Sequence, residues 1–257
     1  TREVTRVLIA SGADVGATGE EHDSSPLIYA ASNPKPEVAR VLIDAGAEVD
    51  ATDDFKMTPL MHAAGGNPNP EVLRVLIASG ADVNAADEHK NTPLMYAASN
   101  ENPEAARVLI ASGAVVNAAT EYSDTPLMRA ASNPNPEVAR ILIEAGADVG
   151  ARRDDLYPTA LMHAAVYNPN PEVLRILIEA GADAGDTNKK KETSLMLAAR
   201  NNPNPEVLEL LMDSGADVGA TDSDGRNALD HSRCNENLKG SRALEILRER
   251  TERGRDD

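Results

Sequence analysis

The sequence predicts an all-α solenoid, a stack of helix–loop–helix units with projecting hairpin-like turns, and three observations carry that prediction. The segment Gly-Ala-Asp-Val or a close variant returns every 33 to 35 residues, with its glycine at Gly12, Gly46, Gly80, Gly113, Gly146, Gly181 and Gly215. Between these landmarks Leu27, Leu60, Leu94, Leu127, Leu161, Leu195 and Leu229 each open a short apolar run. Only six residues are aromatic and none is Trp, so the core must be built from Ala, Val, Leu, Ile and Met in thin, closely packed layers. A fixed period of this size means stacked units that contact only their neighbours. Such a body offers surface to a partner and seldom encloses a reaction.

The first element is a lone second helix at residues 3–11, followed by seven units of two helices each. In the unit that starts near Asp53, Thr58-Pro59-Leu60-Met61-His62-Ala63-Ala64 reads as a short first helix. Threonine caps its start, and proline in the first turn has no amide to leave unbonded. Ala63 and Ala64 let a neighbouring helix approach closely. Asn67-Pro68 ends the helix, because a residue before proline is pushed out of the α region. Asn69-Pro70-Glu71 starts the second helix, with an asparagine cap and a carboxylate at the positive end of the dipole. Val72, Val75, Leu76 and Ile77 form its apolar stripe. Gly80 follows the last turn, where a left-handed residue is expected. A polar stretch then leads to Thr92-Pro93-Leu94.

Thr92-Pro93-Leu94 and Gly80-Ala81-Asp82-Val83-Asn84-Ala85 are close instances of a known pattern, and the chain resembles the ankyrin repeat family over nearly its whole length. That resemblance implies a single repeat domain over residues 1–257. Residues 1–12 would be a partial first repeat, 13–224 the inner repeats, and 225–257 a C-terminal capping repeat with a charged tail. It also implies that the first helices line a concave groove. Two departures read as structural. The family's histidine after the leucine is Ile28, Met61, Met95, Met128, Met162 and Met196, a flexible apolar column. The usual glycine between the helices is Pro34, Pro68, Pro134, Pro169 and Pro203, which stiffens the loop. Near the C-terminus Arg248 replaces an apolar residue, as a polar end face requires. At the other end, residues 1–9 leave an apolar stripe uncovered.

Positions that differ between units are the candidates for recognition. The second helices barely vary, with Arg6, Arg40, Arg74, Arg107, Arg140 and Arg175 each three residues after a glutamate, a surface pairing. The first helices do vary. Two residues after each leucine stand Tyr29, His62, Tyr96, Arg129, His163, Leu197 and His231, and three further on Ser32, Gly65, Ser99, Ser132, Val166, Arg200 and Cys234. Residues three apart share a helical face. Groove contacts are therefore expected from Tyr29, His62, Tyr96, Arg129, His163, Tyr167, Leu197 and Arg200, and turn-tip contacts from Phe55, His89, Tyr122 and Tyr157. Every aromatic falls in these two sets, as suits an interface. The competing reading is that the rings only cover small residues beneath them.

A formal net charge of −17 opposes nucleic acid and anionic membrane and favours a protein partner with a basic patch. No apolar run approaches a membrane span and no signal peptide opens the chain. One cysteine, Cys234, precludes an internal disulfide and fits a reducing, cytoplasmic setting. His62, His163 and His231 lie two or more repeats apart, beyond any shared metal. Asp53-Asp54 and Asp154-Asp155 read as turn acids, and Lys189-Lys190-Lys191 as a solvated tip. The expectation is a non-catalytic interaction module, monomeric in isolation, with no metal and no cofactor. The alternatives are a spacer or self-associating segment of a longer protein, or a substrate-recruiting region of a multidomain enzyme.

Overall fold

The computed structural model describes residues 2–19, 24–153 and 157–253. Asp154-Asp155 and residues 254–257 of the tail lie outside them. The described residues form fifteen α-helices and one 3₁₀ helix, arranged in two compact units, Thr1–Glu121 and Tyr122–Asp257. In the first unit α1 (Arg2–Ala10) is a lone second helix. Three pairs follow: α2 (Pro26–Ala31) with α3 (Pro36–Asp44), α4 (Pro59–Gly66) with α5 (Glu71–Ala78), and α6 (Pro93–Ser99) with α7 (Pro103–Ala111). The second unit holds α8 (Pro126–Ala131) with α9 (Pro136–Glu144), α10 (Ala160–Tyr167) with α11 (Pro171–Glu179), and α12 (Ser194–Asn201) with α13 (Pro205–Asp213). It closes with α14 (Ala228–Ser232), the 3₁₀ helix Glu236–Leu238, and α15 (Arg242–Arg253). Within each unit first helices stack on first helices and second on second, each helix also touching its own partner. No helix among the described residues is long and apolar enough to cross a membrane.

The sequence signals act as expected at most joints. The hydroxyls of Thr58, Thr125, Thr159 and Thr193 accept the amides of Met61, Met128, Met162 and Met196. Thr92 is the exception: its hydroxyl makes no cap bond. All seven glycines of the recurrent segment adopt left-handed φ between 88° and 97°, a region that costs other residues about 1–2 kcal/mol. Met61, Met95, Met128, Met162 and Met196 are fully buried beside the landmark leucines. Each such side chain removed from water contributes about 1.5–3 kcal/mol. The projecting turns are closed by short backbone bonds, such as Asp53 N–H to the Met57 carbonyl and Lys56 N–H to the Asp53 carbonyl, and no strand forms among the described residues.

Two features of the scaffold go beyond the sequence reading. The asparagines that end the first helices are tethers as well as stops. Asn67 donates its amide to the carbonyls of Ala31 and Asn33 in the preceding repeat, and Asn168, Asn202 and Asn235 repeat the contact. A second ladder runs alongside, from Asn69, Asn102, Asn170 and Asn204 to the carbonyls of Pro34, Pro68, Pro134 and Pro169. Proline loops expose these carbonyls without offering a competing N–H, and each bond adds about 0.5–1.5 kcal/mol. The Glu/Arg pairs also reach between repeats. Arg74 lies 3.8 Å from Glu71 on its own helix but 2.6 Å from Glu104 on the next.

Candidate interaction surface

In three repeats the projecting turn is organised by one aspartate, and that side chain also holds the variable-column residue of the following first helix. Asp53 accepts the amides of Phe55 and Met57 through Oδ1, while its Oδ2 lies 2.9 Å from His62 Nε2. Asp87 accepts the amides of His89 and Asn91 through Oδ1, and the Tyr96 hydroxyl donates to its Oδ2 at 2.6 Å. Asp222 repeats the arrangement with Asp224, Arg226 and His231. The carboxylate stands nine residues before the side chain it holds. That spacing is present in the sequence and would have identified the pairs.

The second unit elaborates the theme with arginine. Arg129 Nε lies 3.0 Å from Asp124 Oδ2, and Arg153 bonds the other oxygen at 3.1 Å while reaching His163 Nε2 at 3.4 Å. Asn188 organises its turn as the aspartates do and donates its amide to Glu192 Oε2 at 2.7 Å. Arg200 donates to Glu192 Oε1 at 2.5 Å. Burial works to raise the Glu192 carboxyl, yet the bonds from Asn188 and Arg200 and the charges of Arg200 and His231 hold it below its ordinary range. The same contest lowers Asp87, where Tyr96 and Asn91 outweigh burial, and Asp222, where the Arg226 and Asp224 amides and the His231 and Arg226 side chains do so.

Among the histidines of the first column, His231 meets other potential ligands. Its ring, Asp222 and Glu192 bring one ligand atom each within 4.8 Å of one another, all buried. Arg200 and Arg226 already lie on the two carboxylates, so the cluster's chemistry is that of a compensated ion-pair network. Lys189 to Lys191 lie on the exposed turn beside it.

The predicted contacts separate into three groups. Tyr29, Tyr122 and Tyr167 are more than half exposed, Phe55 is about half exposed, and His89 sits exposed between Glu88 and Glu121. His62, Tyr96, Arg129, His163 and Arg200 line the first-helix face half-buried, held by the carboxylates and neighbours just described. Leu197 does not belong to the surface: its exposure is 0 %. Leu197 packs with Met162 and Val166, and Tyr157 lies against this cluster instead of standing at a turn tip. The Tyr157 ring meets His163 and Tyr167 edge-on, at centroid distances of 6.1 and 5.6 Å. An apolar leucine in the column thus recruits the longer turn's tyrosine as its cover.

Comparison with known proteins agrees with this geometry. The family model for ankyrin repeats (3 copies) matches residues 1–87, 67–153 and 155–249. No curated protein sequence matches significantly. Among solved structures, the crystal structure of the human ASB11 ankyrin repeat domain superposes with a TM-score of 0.76 at 27% identity, covering 88% of this chain and 98% of that one. With that family model matching nearly the whole length, the chain belongs to the ankyrin repeat family.

Proposed function

We propose that this chain is a non-catalytic interaction module that binds a partner protein through its first-helix faces and turn tips. Ankyrin repeats are in general protein–protein interaction modules. The observation that carries the reading is the placement of exposed aromatic surface. Tyr29, Phe55, Tyr122 and Tyr167 lie on first helices or turns, while the second helices present repeated Glu/Arg pairs. Exposed aromatics among half-buried, internally braced polar groups supply rigid anchors at low entropic cost, the arrangement that concentrates binding energy at interfaces. The bracing of His62, Tyr96, Arg129 and Arg200 by turn carboxylates pre-orients these side chains. Leu197 is excluded from the contact set and Tyr157 contributes as part of the Tyr157–His163–Tyr167 cluster. The net charge of −17 supports a partner with a basic patch and an association that weakens with salt.

The test is a photo-cross-linking residue placed at Tyr167 in one variant and at Arg175, on the second helix, in another. Partner captured from Tyr167 and not from Arg175 is expected, with a loss of roughly tenfold in affinity when Tyr167 and Arg129 are replaced by alanine. Equal capture from both positions would refute the assignment of the face.

A further inference from the structure

The turn between Asn188 and Glu192 reverses the chemistry of its counterparts. At the matching tip positions the first unit carries an acid, a ring and a lysine, as Asp54-Phe55-Lys56 and Glu88-His89-Lys90. Here the same three positions read Lys189-Lys190-Lys191, all of them exposed. Tips elsewhere hold Tyr122, Ser223 or Gly225 at these positions, so the scaffold does not dictate lysine. Three adjacent ammonium groups repel one another and build a local positive potential in a chain of net charge −17.

The carboxylates around this turn are already answered by other cations. Asp186 is paired with Arg152 and buried Glu192 with Arg200, while Arg226 serves both Asp222 and Asp224 and His231 lies on Asp222. The three lysines therefore exceed the one carboxylate left over, and Lys190 and Lys191 form no ion pair among the described residues. The backbone beneath them is fixed. Asn188 Oδ1 accepts the Lys190 amide at 2.9 Å, and the Lys191 amide donates to the Asn188 carbonyl at 2.9 Å. The Ser223 amide of the next turn donates to the Lys190 carbonyl at 2.8 Å. A ligand would have to order only the lysine stems and not the loop, which lowers the cost of binding.

We propose that this turn docks an acidic segment of a partner protein, with several carboxylates in short succession facing Lys189, Lys190 and Lys191. Extent decides between polyanions. A nucleic-acid duplex brings one negative charge per about 1.7 Å of its axis, and an anionic bilayer brings a plane of them. Either would press far more negative charge against the acidic remainder of the chain than against the turn. A short acidic segment meets the lysines alone, within a Debye length of about 8 Å. The site is opposite in sign to the basic-patch partner inferred for the first-helix faces and uses different side chains, so it stands independently of that assignment.

The probe is fluorescently labelled hexaglutamate, with hexaglutamine as its uncharged counterpart. Saturable anisotropy at about 50 mM salt is expected for hexaglutamate alone, weakening severalfold or more by about 300 mM. Lys189→Gln with Lys190→Gln keeps every backbone bond of the turn and should weaken binding roughly tenfold. Lys56→Gln with Lys90→Gln, on turns of the first unit, should change it by less than about twofold. Absence of saturable binding at about 1 mM peptide, or equal losses from the two pairs of substitutions, would overturn the proposal. Tighter lysine-dependent binding of a duplex oligonucleotide or of phosphatidylserine vesicles would overturn the choice of occupant. So would a concentration-dependent doubling of mass in light scattering that Lys189→Gln with Lys190→Gln abolishes, because a second copy would then fill the site. A tenfold gain in hexaglutamate affinity on replacing Asp154 and Asp155 by asparagine would show the lysines answered within the chain, and would also refute it.

Discussion

The two units solve one structural problem with different chemistry. In the first, each turn carboxylate is held by one or two uncharged or singly basic groups: Asp53 by His62, Asp87 by Tyr96 and Asn91. In the second, carboxylates are embedded among guanidiniums: Asp124 between Arg129 and Arg153, Glu192 with Arg200, Asp222 with Arg226 and His231. Both arrangements brace the variable column. The difference lies in what is left behind when one member is removed. A hydrogen bond to a hydroxyl contributes modestly, whereas a buried carboxylate stripped of its counter-ion leaves an uncompensated charge.

Arg200→Ala should therefore cost most. Glu192 is 2% exposed and would keep only its bonds to Asn188. Since Arg200 is itself about one-third exposed, the general loss for a broken buried pair is discounted to about 2–3 kcal/mol. Tyr96→Phe, which removes one bond to Asp87 and keeps the ring, should cost about 1 kcal/mol. Denaturant midpoints at neutral pH measure both. Equal losses would erase the contrast between the units.

Acid sharpens the contrast further. Glu192, Asp222 and Asp87 all have folded pKa values below their ordinary ones. A carboxyl depressed on folding adds stability that is complete above its unfolded value and is lost as pH falls through the folded one. The window for Glu192 opens at its ordinary value of 4.5, and those for Asp87 and Asp222 at 3.8. The second unit should begin to weaken at the higher pH. Glu192→Gln should flatten the fall in stability below that point, read as denaturant midpoint against pH. An unchanged slope would show that the network does not couple folding to protons.

How much of this was readable in advance depends on distance along the chain. Helix starts at Thr58 or Thr159, stops at the Asn-Pro steps and left-handed turns at Gly46 or Gly80 depend on contacts within a few residues, and local sequence suffices for them. The amide ladders do not. Asn202 reaches carbonyls 34 and 37 residues back, and only the stacked geometry shows that its side chain donates as well as terminating a helix. The surface was misjudged where a neighbour intervened. Leu197 sits in the variable column by register, yet Tyr157 folds over it, because an apolar side chain on that face lowers its free energy by recruiting the nearest ring. His62 and Tyr96 are half-buried because the aspartate nine residues earlier holds each of them, a contact that the column position alone does not reveal.

The smallest expected effect concerns the turn tips, where the units differ at one backbone position. Lys56, Lys90, Ser123 and Lys191 adopt positive φ of 58° to 62°, and Gly225 fills the corresponding place in the last repeat at 79°. Glycine is therefore compatible with this turn, and the side chains are retained against a left-handed strain. Replacing Lys56 by glycine relieves that strain but loosens the unfolded chain, two opposing terms whose balance should favour the folded state by about 0.5–1 kcal/mol. Gly225→Ala should lower stability by a similar amount, since nothing lies within 4 Å of an added Cβ and the left-handed strain outweighs the stiffer unfolded chain. Opposite shifts in denaturant midpoint for the two variants are the expected result. A loss of stability in Lys56→Gly would mean that the lysine side chain makes a stabilising interaction worth more than the strain it endures.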